Sequence, residues 1–170
     1  MNNKIALCYD FDGTLCSWYI ENQQLIPDCK VDIREFWSEV SNYSKDNKVD
    51  PTLSYMLILE NKMHDAGVEI SRENLINYGK QLKLFSGVND WFGRIKDYGK
   101  ANNIEVEHYI ISSGLTNMIE GCSFYNQIDR VYACEYIFKD ARGLWPKLSV
   151  NYSNKVQYLY RIHKGAFEVN

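Results

Sequence analysis

The sequence predicts an α/β fold: a three-layer core around a parallel sheet, with a helical segment inserted after the first strand. Residues 5–9 (IALCY), a short, continuously apolar run, and the largely apolar 106–111 read as strands, the first as a strand buried on both faces. Segments of helical periodicity separate them, which implies right-handed crossovers and parallel pairing. Each run ends in a polar, glycine-bearing break, DFDGT at 10–14 and SSG at 112–114. Ligands of parallel sheets bind beyond the carboxyl ends of the strands, so both breaks belong to one candidate site.

From about residue 28 to residue 84 the reading is helical. Ile33, Phe36, Trp37 and Val40 recur at helical spacing, as do Leu53, Met56, Leu57 and Met63. Asp50-Pro51 and the stretch from Gly67 to Ser71 read as helix boundaries. Phe85-Ser86-Gly87 is a turn. It leads into an amphipathic helix carrying Val88, Trp91, Phe92, Ile95 and Tyr98, ended by Gly99 and Asn102-Asn103. After SSG a helix runs through Leu115, Met118 and Ile119. Residues 127–134 read as a third strand, and 135–150, with Gly143 and Pro146, as a hairpin or extended arm. The last helix starts at Ser153 as N-cap and places Val156, Leu159, Tyr160 and Ile162 on one face.

Composition sets outer bounds. With 170 residues, 45% hydrophobic and 24% charged, the chain can bury a core. A net charge of −3 gives no footprint for nucleic acid or an anionic membrane, so neither is expected as a partner. Any anion must be held by local geometry. Five cysteines lack C-x-x-C or zinc-ligand spacing and read as reduced thiols. No signal peptide or membrane span is legible, and a cytoplasmic location is the expectation.

DFDGT carries the chemistry. Asp10 and Asp12, two positions apart past a strand end, face one pocket if the chain turns at Gly13, which also lets backbone amides approach an anion. Neighbouring carboxylates have separated pKa values, suiting one to nucleophilic attack or metal binding and the other to acid/base work. A solvated Asx turn is the plain alternative. A calcium loop is excluded, because Leu15 stands where that loop needs glycine. Ser112 read singly suits a helix N-cap, and Lys155 a surface lysine. Glu21 and Arg34 read as surface residues, and His64, His108 and His163 as surface or packing residues.

Taken together and in order, a hydrophobic strand followed by DFDGTL, HYIISSGL closing a later strand, IDRVYACEYIF, and Lys155 in SNKVQYL resemble the haloacid dehalogenase-like superfamily. The likeness is to its phosphoserine-phosphatase relatives. It implies a Rossmann-like core from residues 1–16 and 86–170 with a helical cap at 17–85. It further implies that Asp10 attacks phosphorus, that Asp12 acts as general acid and base, and that Lys155 offsets the gathered charge. Ser112, Ser113, Gly114, Gly13 and Thr14 would surround the phosphate. Mg²⁺ would be bound through Asp10 and the backbone carbonyl of Asp12. The second aspartate sets the chain apart from the metal-free dehalogenases and fits hydrolysis of a small phosphorylated metabolite. A sugar phosphomutase, or a phosphate-binding fragment without turnover, is the alternative. The superfamily's fourth motif, an acidic pair after the lysine helix, has no counterpart in residues 156–170. The resemblance therefore implies a truncated chain with weak Mg²⁺ binding.

Overall fold

The computed structural model describes residues 3–139 and 142–167. Among them, four strands form one sheet in the order β1 (Asn3–Tyr9), β2 (Ile104–Leu115), β3 (Arg130–Lys139) and β4 (Arg142–Leu148). β1 pairs with β2 and β2 with β3 in parallel, with Tyr9 opposite Ile110 and Tyr109 opposite Arg130. β4 turns back antiparallel on β3. The sequence places the arm correctly, but β3 begins later than expected and runs straight into it.

Helices occupy the connections. Between β1 and β2 lie α1 (Ile20–Gln23), α2 (Leu25–Asp28), α3 (Ile33–Asn47), α4 (Pro51–Ala66), α5 (Arg72–Lys80) and α6 (Val88–Ala101); α7 (Thr116–Glu120) and α8 (Tyr152–Lys164) follow. The helical segment thus starts earlier than the expected residue 28. Its boundaries follow local capping. Asp32, Asp50 and Ser71 accept backbone amides at the starts of α3, α4 and α5, which satisfies donors the helix itself leaves free. Pro51 sits in the first turn of α4, where its missing N–H costs nothing.

Alternation along β2 sets the layers. His108 lies against Phe92 of α6, while the next residue, Tyr109, stacks on Phe167, which follows α8. Successive strand residues point to opposite faces, so α6 and α8 cover opposite sides of the sheet. On α8's side Tyr158 stacks on Tyr132 at 4.5 Å between centroids. On the other side Phe92 packs on Phe124 and edge-on against Tyr9. His108 is fully buried here. Its Nε2–H donates to the Phe92 carbonyl, and its Nδ1 accepts from the Tyr9 hydroxyl, which in turn accepts from Trp91 Nε1. Burial holds its pKa below the usual imidazole value, and the network fixes the neutral Nε2–H tautomer.

Four expectations need correction. Among the described residues β1 is an edge strand and is largely exposed, Ile5 at 44%, not buried on both faces. An apolar run cannot say which strand lies at a sheet's edge. β2 continues through SSG to Leu115, with a register shift between Ile111 and Leu115, instead of ending at Ser112. The N-cap of α8 is Asn151, in a reciprocal capping box with Asn154, not Ser153. The apolar stripe expected to seat α8 is mostly outward: Val156, Leu159 and Tyr160 are exposed and only Ile162 is buried. Smaller differences follow the same logic. α6 runs past Gly99 to Ala101, and Gly99 serves close packing against Val106 instead of ending the helix. In α4, Ile58 and Leu59 fill the core where Leu53 does not. The five cysteines form no disulfide, and four of them are buried.

Candidate active site

The site begins where β1 stops. The Phe11 carbonyl accepts the amides of Thr14, Leu15 and Cys16, folding DFDGTLC into a tight turn that Gly13 permits with φ +71°. Phe11 is fully buried against Phe124. Asp10 and Asp12 flank it, close enough for the Asp10 charge to act on Asp12.

Asp10 Oδ1 accepts from the Phe11 amide at 2.8 Å and lies 2.9 Å from Lys155 Nζ. Lys155 is in the first turn of α8, and the Asn151 cap fixes that turn: the Lys155 amide donates to the Asn151 carbonyl. Asn151 Nδ2 donates to Asp50 Oδ2, the residue that caps α4. The start of α8 is therefore pinned both to itself and to the helical segment.

Asp12 Oδ1 accepts from the Ile20 amide at 3.0 Å, serving the start of α1, whose own N-cap Tyr19 makes no side-chain bond. Burial pushes the Asp12 carboxyl above the usual range. The Asp10 charge adds to this, while the Ile20 amide and Lys155 pull it down. Raised to about 7, the Asp12 carboxyl is divided between its protonated and ionised forms near neutral pH, the condition under which a carboxyl can both give and take a proton.

Ser112 is fully buried, and its Oγ accepts from the Gly114 amide at 3.0 Å. That bond uses a lone pair and leaves the hydroxyl proton to be donated. The Ser113 carbonyl accepts from the Tyr55 hydroxyl at 2.7 Å. A Cβ on Gly114 would come within 2.7 Å of Ile20 Cδ1, so the tip of that side chain would have to turn aside. Thr14 is exposed and its amide is engaged by Phe11, so only its side chain could reach an anion. The structure therefore brings Asp10, Asp12 and Lys155 together at the end of β1, with Ser112 on the neighbouring strand.

Glu21 overturns the surface reading. It is 2% exposed, and its Oε1 has no hydrogen-bond partner. Burial raises its pKa well above the carboxylate range, with the Asp12 charge adding and the Leu115 amide opposing. Ile20 and Leu25 are buried as well, but a lone acidic residue between them carries no local signal of its own burial. Arg34, His64 and His163 are exposed. A cavity of about 440 Å³ opens from Asp12, Glu21 and Ser113 toward Trp37 and Tyr55.

Among the described residues, no group of three or more His, Cys, Asp or Glu side chains gathers at metal-binding spacing. The donor set at the turn is smaller: the Asp10 oxygen not facing Lys155, and the Asp12 carbonyl. Hard oxygens of this kind suit Mg²⁺, which uses one or two carboxylates and fills its other positions with water and substrate phosphate. No helix among the described residues is long and apolar enough to cross a membrane.

No family model matches the chain. A curated protein of Borreliella burgdorferi, itself uncharacterised, is 29% identical over 191 residues, covering 98% of this chain and 67% of that protein. Among solved structures, a HAD family hydrolase of Salmonella enterica serovar Typhi superposes with a TM-score of 0.66 at 17% identity, over 96% of this chain and 52% of the other. A substrate-bound phosphoserine phosphatase gives 0.64 at 15% identity, over 96% and 72%. A phosphoserine phosphatase carrying a phospho-aspartyl intermediate analogue gives 0.59 at 15%, over 96% and 73%. The chain spans about half the length of the Salmonella hydrolase. At these identities the likeness is one of architecture, and the chain has the haloacid dehalogenase-like fold of these hydrolases and phosphoserine phosphatases.

Proposed function

We propose that the protein is a Mg²⁺-dependent phosphomonoester hydrolase that works through an aspartyl-phosphate on Asp10 and acts on a small phosphorylated metabolite. The observation that carries this reading is the grouping at the end of β1. A carboxylate held by Lys155 at 2.9 Å stands beside a second carboxyl whose proton affinity is raised by burial.

In the first half-reaction an Asp10 oxygen attacks phosphorus, and Asp12 gives its proton to the departing alkoxide. In the second, Asp12 takes a proton from the water that attacks the aspartyl-phosphate, which restores both groups. Lys155 balances the negative charge that gathers as carboxylate and phosphate approach, a repulsion that is costly in a partly dry site. The Ser112 hydroxyl donates to a phosphoryl oxygen. Asp10 and the Asp12 carbonyl would hold Mg²⁺, which neutralises phosphate charge when bound. The helical segment at residues 17–85 acts as a cap that closes over the site and excludes water.

The test is hydrolysis of 4-nitrophenyl phosphate with and without Mg²⁺, for the wild-type chain and Asp10→Asn. Mg²⁺-dependent turnover abolished by Asp10→Asn is expected. Turnover of the variant above a tenth of wild type would remove Asp10 from the role of nucleophile.

A further inference from the structure

Lys155 reaches Asp10 through a flexible four-carbon stem, so the place of its ammonium depends on where the backbone of α8 begins. That beginning is set by the loop at residues 149–151. The Asn151 carbonyl accepts the Lys155 amide, and Asn151 Oδ1 accepts the amides of Ser153 and Asn154 at 3.0 Å. Asn154 answers from the helix: its Oδ1 accepts the Asn151 amide at 2.8 Å, and its Nδ2 donates to the Ser149 carbonyl. These bonds lie within the loop and the first turn, so they fix the shape of the turn and not its position. From outside, the Val150 amide donates to Cys134 Sγ on β3. The tie to the helical segment is Asp50.

Asp50 divides its two oxygens between two elements. Oδ1 caps α4, accepting the amides of Thr52 and Leu53 at 2.9 and 3.1 Å, with the Ser149 hydroxyl at 3.3 Å. Oδ2 accepts from Asn151 Nδ2 at 2.8 Å. A helix cap needs one oxygen, and serine or asparagine supplies it as well as aspartate does. The second oxygen serves the residue that caps α8. One line of bonds thus runs from Asp50 through Asn151 and Lys155 to Asp10. A few residues further along α4, the Tyr55 hydroxyl donates to the Ser113 carbonyl beside Ser112. α4 therefore braces both core segments that carry the site.

We propose that Asp50 is a positioning residue for the Asp10 site, holding the first turn of α8 through Asn151 where the Lys155 ammonium meets Asp10. The inference rests on the phosphatase reading, which gives Lys155 its charge-balancing role. A lysine on a looser turn still pairs with Asp10 part of the time. It is out of place when carboxylate and phosphate approach, and a misplacement of ~1 Å is enough to cost a reaction up to ~10²-fold.

The bond can be broken and rebuilt with both helix caps kept. In Asp50→Asn one side-chain oxygen still caps α4, but an amide group faces the amide of Asn151, donor to donor. In Asn151→Asp the cap of α8 survives, and two carboxylates face each other. Combining the two substitutions reverses the direction of the bond at the net charge of the wild type. With 4-nitrophenyl phosphate and Mg²⁺, each single change should lower kcat about tenfold, the scale of one hydrogen bond to a charged group. KM should move less, and the combined variant should recover most of the loss. In a Lys155→Met background Asp50→Asn should cost no further activity, while its shift in melting temperature remains. A residue that only steadies the fold would lower activity and melting temperature in both backgrounds. Wild-type kcat in Asp50→Asn, a loss that multiplies with that of Lys155→Met, or a combined variant as slow as the single ones would overturn the inference. Each of these leaves the phosphatase reading standing on the turnover of the wild type. A wild-type chain that hydrolyses no ester takes both down.

Discussion

Lys155 Nζ lies 2.9 Å from Asp10 Oδ1, joining the first turn of α8 to the end of β1. The Asp10 side chain is 47% exposed and that of Lys155 23%, so solvent screens the pair and its share of stability is small. Its value is in charge placement. Lys155→Met should lower kcat/KM by roughly 10²-fold or more, on the scale of losing one electrostatic stabiliser, and shift the melting temperature little. Activity assay beside thermal unfolding checks this. A variant that unfolds before it loses activity would make the contact structural.

Asp12→Asn should slow formation and breakdown of the phospho-enzyme alike, by roughly 10²–10⁴-fold. The wild-type pH profile should carry the same signature. The Asp12 carboxyl, raised by burial to about 7, must be protonated to donate. In the alkoxide-leaving step kcat/KM should therefore fall as pH rises through that value. A leaving group that needs no proton, such as 4-nitrophenolate, should lose this alkaline limb. A limb of equal size for alkyl and nitrophenyl esters would take the role of acid away from Asp12.

Glu21 makes a prediction about stability. Its ordinary pKa of 4.5 is raised to about 8 by burial. Between those values the folded chain holds a proton that the unfolded chain releases, so stability falls as pH rises across that window. Glu21→Gln keeps the size and removes the titration. Melting curves at several pH values should converge at low pH and separate at high pH, with the variant the more stable. Parallel curves would mean that Glu21 is not buried as an acid.

Gly114→Ala tests the packing behind Asp12. The new Cβ would meet Ile20 Cδ1, and Ile20 supplies the amide that Asp12 accepts. The contact falls on a side-chain tip that can turn aside, so the cost should sit at the low end of the ~1–3 kcal/mol that overpacking brings. It should also weaken activity by moving the α1 start. A fully active, equally stable variant would show that the α1 start tolerates displacement.

The break at DFDGT was legible, because paired carboxylates and a glycine interrupt an apolar run there, whereas SSG lies inside β2 and only shifts its register. Helix starts at Asp32, Asp50 and Ser71 follow from capping chemistry that is local in sequence. Three features escaped. The exposure of β1 depends on which strand takes the edge, a relation between distant segments. The outward stripe of α8 escaped for a related reason: periodicity identifies an apolar face without saying what lies opposite. Glu21 escaped because a single acidic residue reads as surface until the packing of Ile20 and Leu25 around it is known.

Passage of phosphorus through Asp10 is the step on which the proposed chemistry turns. Mix the chain with 4-nitrophenyl phosphate and Mg²⁺, quench in acid, reduce with borohydride to trap acyl phosphates, and locate the modified residue by peptide mass spectrometry. Modification is expected at Asp10 alone, absent from Asp10→Asn and enriched in Asp12→Asn if breakdown is slowed more than formation. Turnover that proceeds with Asp10 unmodified, or with the label on another residue, would contradict it.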